Sequence, residues 1–297
     1  MNTFEKLYLG LFFVIIMLFI IVVHNQNNTQ KVSQLDIVFF DIGQGDATFI
    51  TFPTGQQMLI DCSKDSGVLE KLGGEMDFFD KTIDYLVITH PDYDHYGGCI
   101  DVLKTYNVKE IIYTDKQKEG SFFTQFLEVV DQEISLGAIY TKIDHPEMWN
   151  IGDVQLSFLY PNNNLDFLSK EIKNGDDSNN TSIVIKITYG DQDVLFTGDA
   201  EMEIEQYLVD IYQDQLDVEI LKIGHHGSNS SSIEPFIETT SPEVAIISAG
   251  LNNSYHHPTD KVLDRLQRFN ASIYRTDLQG SIYAEITTSS YKIFTNY

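Results

Sequence analysis

The chain has 297 residues, of which 42% are apolar, 12% aromatic and 21% charged, a balance that supports a sizeable core and excludes wholesale disorder. Nineteen Lys and Arg against 44 Asp and Glu leave a net charge of −25, which argues against tight non-specific nucleic-acid binding but not against a bound cation. The two cysteines, Cys62 and Cys99, exclude a disulfide scaffold and a four-cysteine zinc site; whether they are bridged stays open.

Residues 1–6 form a short tail. Leu7–Val23 (LYLGLFFVIIMLFIIVV) is uncharged and almost wholly apolar, at the short end of what crosses a bilayer as one helix. A cleaved signal peptide would need a basic leader and a small-x-small site. Here Lys6 stands beside Glu5 and HNQNNTQ follows Val23, so the segment reads as a retained transmembrane anchor. Lys6 and Lys31 are nearly symmetrical about it and specify orientation weakly. An isolated leading span favours a single-pass protein of the cell membrane with its domain outside the cytoplasm. Residues 24–34, polar and rich in Asn and Gln, read as a linker, and 35–297 as the folded domain.

From Leu35 onward, short apolar runs are bounded by turn residues. LDIVFFDIG (35–43), ATFITFP (47–53) and QMLIDC (57–62) predict three strands, followed by DYLVITH (84–90), a helix near 98–106, the strand VKEIIYT (108–114) and a helix over 122–133. VQLSFLYP (154–161) is a further strand, and the Asn- and Asp-rich stretch 162–180 a loop. SIVIKITYG (182–190) and DVLFTGD (193–199) are joined by Gly190–Asp191, a hairpin signal. A helix over 201–214, the strand VEILKIG (218–224), a helix near 233–239, the strand VAIISAG (244–250), a helix over 258–269 and strands at 272–277 and 281–287 complete the pattern. Two strand-rich halves that each carry helices predict an α/β (α+β) fold of two sheets packed face to face with helices outside.

Acid and imidazole residues gather at the ends of the apolar strands. Asp61 ends one; His90 opens HPDYDHYGG, with Asp92, Asp94 and His95; Asp199 ends LFTGD; His225 and His226 follow LKIG; His256 and His257 follow VAIISAG. Six of the eight histidines lie at such places. A lone Asp at a strand end is ordinarily a cap, GHHGS read alone could be a helix cap with two solvated histidines, and glycines such as Gly97, Gly98 and Gly227 have the ordinary use of letting backbones approach. Ligands on distant strand ends can nonetheless converge on one edge of the sheets. Imidazole with carboxylate suits zinc, manganese or iron, and four such groups within six residues, without Cys, favour two adjacent hydrolytic metals over one structural zinc.

Several segments together resemble the metallo-β-lactamase superfamily and, more narrowly, the hydrolase domain of competence DNA-uptake proteins of the ComEC type. They are FFDIGQGDATFI (39–50), LIDCS (59–63), ITHPDYDHYGG (88–98), NNTSIVIKITYGDQDVLFTGDAE (179–201), LKIGHHGS (221–228), HHPTDKVLDRL (256–266) and YRTDLQGSI (274–282), spread over residues 35–290. The multi-span channel of the uptake proteins is absent from this sequence. The resemblance implies an αββα sandwich of two mixed sheets with outer helices, here preceded by one transmembrane helix, and a hydrolase using two divalent ions, zinc or manganese. It implies one ion held by Asp94, His95, Asp199 and a member of the His225–His226 pair, and the other by His90, Asp92 and the shared Asp199. Asp61 would orient a ligand histidine. The superfamily pattern HxHxDH reads HxDxDH here, with Asp92 in place of an imidazole, and the region 179–182 lacks the family's next histidine. The second position is therefore expected to favour harder ions or to be weak.

Paired divalent cations would activate water and neutralise charge on a phosphoryl or carbonyl oxygen, which suits a phosphodiester substrate. His257, Ser228 and Thr276 are candidates to hold the phosphate or protonate the leaving group, with a solvated loop residue, a helix cap and a sheet hydrogen bond as their respective ordinary readings. Lys222 and Arg275 are the basic residues expected near the site. The reading is a membrane-anchored phosphodiesterase or nuclease, with DNA a candidate substrate bound without a basic track. Its rivals are a lactonase or β-lactamase, disfavoured by Asp92, a choline-phosphate esterase, and a non-catalytic surface-tethered binding protein. No protein partner is deducible.

Overall fold

The computed structural model describes residues 12–18, 33–162 and 178–296, and the chain divides into two units, residues 1–34 and 35–297. In the first unit residues 12–18 are helical, with exposed side chains. The rest of the predicted anchor, like most of the 162–180 loop, lies outside the described residues. Among the described residues no helix is long and apolar enough to cross a membrane.

The second unit holds two mixed sheets. One comprises β1 (Leu35–Phe39), β2 (Thr48–Thr51), β3 (Gln57–Ile60), β4 (Thr82–Val87), β5 (Asn107–Tyr113), β6 (Ile139–Lys142), β14 (Ile282–Ile286) and β15 (Tyr291–Thr295), in the order β15-β14-β1-β2-β3-β4-β5-β6. The other comprises β7 (Glu147–Ile151), β8 (Val154–Tyr160), β9 (Val184–Tyr189), β10 (Gln192–Phe196), β11 (Ile220–Lys222), β12 (Val244–Ile247) and β13 (Ser272–Arg275), in the order β13-β12-β11-β10-β9-β8-β7. In each sheet one half is antiparallel and the other, β3 to β6 or β10 to β13, is parallel.

Period-two alternation explains how the layers stack. Ile37 and Phe39 of β1 point between the sheets, with Ile185 and Ile187 of β9 and Val194 and Phe196 of β10 facing them. The rings of Phe39 and Phe196 stack at 5.9 Å. The intervening Val38 and Phe40 face the other way, onto the helices Cys99–Thr105 and Ser121–Leu136. On the second sheet Leu195, Leu221 and Ala245 meet the helices Met202–Tyr212, Glu234–Thr240 and Asp260–Arg268. Central strands covered on both faces are apolar over most of their length, and Val244–Ile247 (VAII) is so throughout. The result is an αββα sandwich. The β9–β10 hairpin closes in two residues, with Gly190 at φ +64°.

Some elements were not anticipated from sequence. The helix Gly67–Glu75 contains Gly73 and Gly74 and is held by burial of Val68 and Leu72. β6, β7 and β15 lie at sheet edges.

Candidate metal centre

Asp61 and His90 follow β3 and β4, while Asp199 and His226 follow β10 and β11. The two parallel half-sheets thus deliver their carboxyl ends to one rim of the sandwich. The loop after β3 is fastened to the HPDYDH segment by a bond from the Cys62 amide to the His95 carbonyl at 2.7 Å, and to the helix that follows by a Cys62–Cys99 disulfide. Gly98 is required here, because a Cβ would lie 2.1 Å from the Cys62 carbonyl oxygen.

Three buried imidazoles have their tautomers set by what their Nδ1 atoms meet. His226 Nδ1 is 3.0 Å from the Ser248 carbonyl, which can only accept. His95 Nδ1 is 2.7 Å from an Asp61 oxygen, again an acceptor. The Thr89 hydroxyl donates to Asp61 at 2.7 Å, so it accepts from His90 Nδ1 at 3.0 Å. All three rings therefore turn an Nε2 lone pair inward. Each Nε2 is buried without a hydrogen-bond partner, as is Asp199 Oδ1. His95 Nε2 stands 3.3 Å from an Asp199 oxygen, and His226 Nε2 stands 3.3 Å from Asp94 and 3.6 Å from Asp199. Lone pairs facing carboxylates at such separations call for a cation between them or for protons on the rings.

The charges show the same demand. Burial alone would lower His226, yet Asp199 and Asp46 reverse it and raise the ring to about 10. Burial likewise opposes protonation of His95, and Asp199 and Asp61 outweigh it and hold the ring well above its ordinary value. Burial works to raise Asp94, but His226 and His95 prevail and lower it to about 2. A site that pulls protons this strongly is built for positive charge, and a divalent ion on neutral imidazoles and carboxylates answers it. His90, by contrast, is lowered to about 4 by burial and by His95, so its ring is neutral near pH 7.

Asp94, His95 and His226 come together as one group of donors, while Asp199 groups with His90 and His95 and, separately, with Asp46 and His226. Asp92 stands apart: its oxygen nearest His90 Nε2 is 4.0 Å away, and its other oxygen accepts from Lys118 and Ser178. The adjacent pair splits. His226 enters the centre, while His225, at φ +47°, turns its Nδ1 to Glu201 at 3.0 Å and to Ser230 at 3.1 Å. The His257 ring is 5.5 Å from that of His225, beside the centre, with a buried and unpartnered Nδ1. Ser228 bonds Ser230 at 3.0 Å. The Thr276 hydroxyl accepts from the Ala249 amide at 3.1 Å and donates to its carbonyl at 3.2 Å, so it clasps backbone. Lys222 and Arg275, expected near substrate, are each taken up by a carboxylate of the chain itself. Lys222 is buried 2.7 Å from Asp46, and Arg275 pairs with Asp277 at 2.7 Å.

Asp46, Thr89, Lys118, Ser178 and the Ser248 carbonyl are parts of the centre that sequence reasoning did not single out. Asp46 lies 3.5 Å from His226 Nδ1 and carries the Lys222 ammonium, and its one signal was an acid between two strongly apolar strands. A groove of about 520 Å³, lined by Gln44, Lys64, Tyr93, Asp94, Asn253 and Tyr255 among others, opens onto Asp94.

The profile of the metallo-β-lactamase superfamily matches residues 41–158 and 165–250. The chain belongs to this superfamily. It is 32% identical over 270 residues to ComE operon protein 3 of Bacillus subtilis, covering 84% of this chain and 33% of that protein. It is 33% identical over 202 residues to competence protein ComA of Neisseria gonorrhoeae, covering 68% and 25% respectively. The chain thus spans about a third or less of the length of these curated relatives. Among solved structures, a diiron β-hydroxylase, CmlA of Streptomyces venezuelae, superposes with a TM-score of 0.52 at 13% identity, over 90% of this chain and 55% of that one. That likeness concerns the fold alone. A superfamily member with these donors is a metallohydrolase by fold, and the fold implies divalent-metal binding.

Proposed function

We propose that this chain is a metal-dependent phosphodiesterase held at the membrane by its amino-terminal segment, with its domain outside the cytoplasm. The observation that carries the chemistry is the convergence of three partnerless Nε2 lone pairs on Asp94 and Asp199. Divalent cations there would supply activated water and stabilise charge developing on a phosphoryl oxygen. The chain's own residues do the rest. Asp61, Thr89 and Ser248 hold the rings in the ligating tautomer. The groove beside Asp94 offers Lys64 to an anionic group and the half-exposed Tyr93 and the exposed Tyr255 to a flat one. Aromatic faces beside an ammonium suit a base-bearing phosphodiester better than a lactone. His257, whose ring lies 5.5 Å from that of His225 and is neutral near pH 7, would accept a hydrogen bond from water or substrate rather than give a proton to the leaving group. The Cys62–Cys99 disulfide supports an oxidising compartment, and hence the extracytoplasmic face.

The test is a panel assayed with the full chain in detergent, supplied with manganese or zinc: single-stranded and duplex oligonucleotides, a dinucleotide, phosphocholine esters, a lactone and a β-lactam. Turnover of a phosphodiester, abolished by Asp199→Asn, is expected. Turnover of the lactone or β-lactam alone would overturn the reading.

A further inference from the structure

Asp92 occupies the place where the superfamily pattern carries an imidazole, and the structure shows what it does instead. One of its oxygens accepts from the Lys118 ammonium and from the Ser178 hydroxyl, and Lys118 also reaches that hydroxyl at 3.3 Å. The carboxylate is thereby drawn toward the surface, where Lys118 is 40% and Asp92 28% exposed. Its other oxygen remains 4.0 Å from His90 Nε2. Among the described residues, Asp92 joins none of the donor groups whose ligand atoms lie within 4.8 Å of one another, whereas Asp94, His95, Asp199 and His226 all do. A second cation position would therefore rest on His90, on an Asp199 already shared, and on a carboxylate that is already neutralised. It would also face the charge of the ammonium.

We propose that Lys118 takes the role of the second cation: it holds Asp92 out of the coordination sphere and repels a second divalent ion, so that the centre loads one ion tightly, among Asp94, His95, Asp199 and His226. This rests on the metal reading given above. It departs from the pair of ions that the resemblance implies, and it names the residue responsible. The physical grounds are that like charges repel strongly at the low effective dielectric of a half-buried site, and that an ammonium is a compact point charge able to sit where a metal would.

The test is metal stoichiometry rather than turnover. The full chain and its Lys118→Met and Lys118→Arg variants are dialysed against graded Mn²⁺ or Zn²⁺, and bound metal is counted by mass spectrometry, with circular dichroism confirming the fold. The expected result is one tight ion per chain for the parent and for Lys118→Arg. Lys118→Met should gain a second ion, with at least a tenfold rise in affinity at the weaker position. Two ions of equal affinity in the parent, or a single ion with an unchanged second-site affinity in Lys118→Met, would overturn this inference while leaving the hydrolase reading intact. Failure of the parent to bind any ion would overturn both.

Discussion

Asp61 accepts from His95 Nδ1 at 2.7 Å and, at the same distance and with the same oxygen, from the Thr89 hydroxyl, so that one carboxylate sets the tautomers of two inward-facing imidazoles. Its second oxygen holds the Thr89 amide at 2.8 Å. Asp61→Asn places an amide donor against one of these donors and breaks the chain of acceptors. Outer partners of this kind are worth about 10–100-fold in metal affinity. We expect a loss of that size by competition with a chelating dye, with the far-ultraviolet spectrum unchanged. Unaltered affinity would show that the rings need no such fixing.

The buried Asp46–Lys222 pair makes a separate prediction about stability. Burial works to raise the Asp46 carboxyl, but Lys222 and His226 overcome it and hold it well below the usual carboxylate range. Removing one partner of a buried ion pair costs about 3–5 kcal/mol, since the other charge is stranded. Lys222→Met should therefore lower urea-unfolding stability by roughly that amount, and Lys222→Met with Asp46→Leu should be less destabilised than Lys222→Met alone. Because the folded carboxyl titrates lower than the unfolded one, its stabilisation is present above the ordinary carboxylate range and is lost as pH falls below it.

The His257 ring is lowered to about 4 by burial and by the neighbouring His225 and His226. The unfolded chain, with an ordinary imidazole near 6.5, binds the proton first as pH falls. Between that value and about 4, therefore, stability declines with falling pH. Unfolding of the parent and of His257→Gln at pH 5 and pH 7.5 should differ: the variant loses less stability on acidification. Parallel behaviour would mean that this ring titrates normally.

Binding of nucleic acid, where it occurs, should depend weakly on salt. With Lys222 on Asp46 and Arg275 on Asp277, the ammoniums left near the centre among the described residues are those of Lys64 and Lys118. A slope of log affinity against log salt on the order of one to two counterions is expected for a short single strand. A steep slope with tight duplex binding would reveal a basic track elsewhere on the −25 surface.

How far the fold could be read in the sequence depended on where an element lies. Central strands such as Val244–Ile247 are apolar on both faces and stand out as runs. Ile139–Lys142, at an edge, has no buried residue, and its pattern resembles a loop. The helix Gly67–Glu75 has poor intrinsic propensity and exists because Val68 and Leu72 find a core. At the centre, the strand-end acids and imidazoles were visible because their residue types are costly to bury without purpose. Which of His225 and His226 faces inward was not visible, because it turns on left-handed backbone at both residues and on a carbonyl, that of Ser248, contributed by another strand end. Lys118 and Ser178 were hidden for a similar reason: each lies far in sequence from Asp92, and neither type announces a site.

The central claim is that this cluster of imidazoles and carboxylates holds a divalent ion that hydrolysis requires. It is tested most directly by stripping the full chain with a chelator, verifying metal removal by mass spectrometry, and following cleavage of bis(4-nitrophenyl) phosphate as manganese or zinc is returned. Loss of turnover on stripping, recovery on reconstitution, and no recovery in His226→Ala are the predicted results. Undiminished turnover by verified metal-free protein would contradict the account.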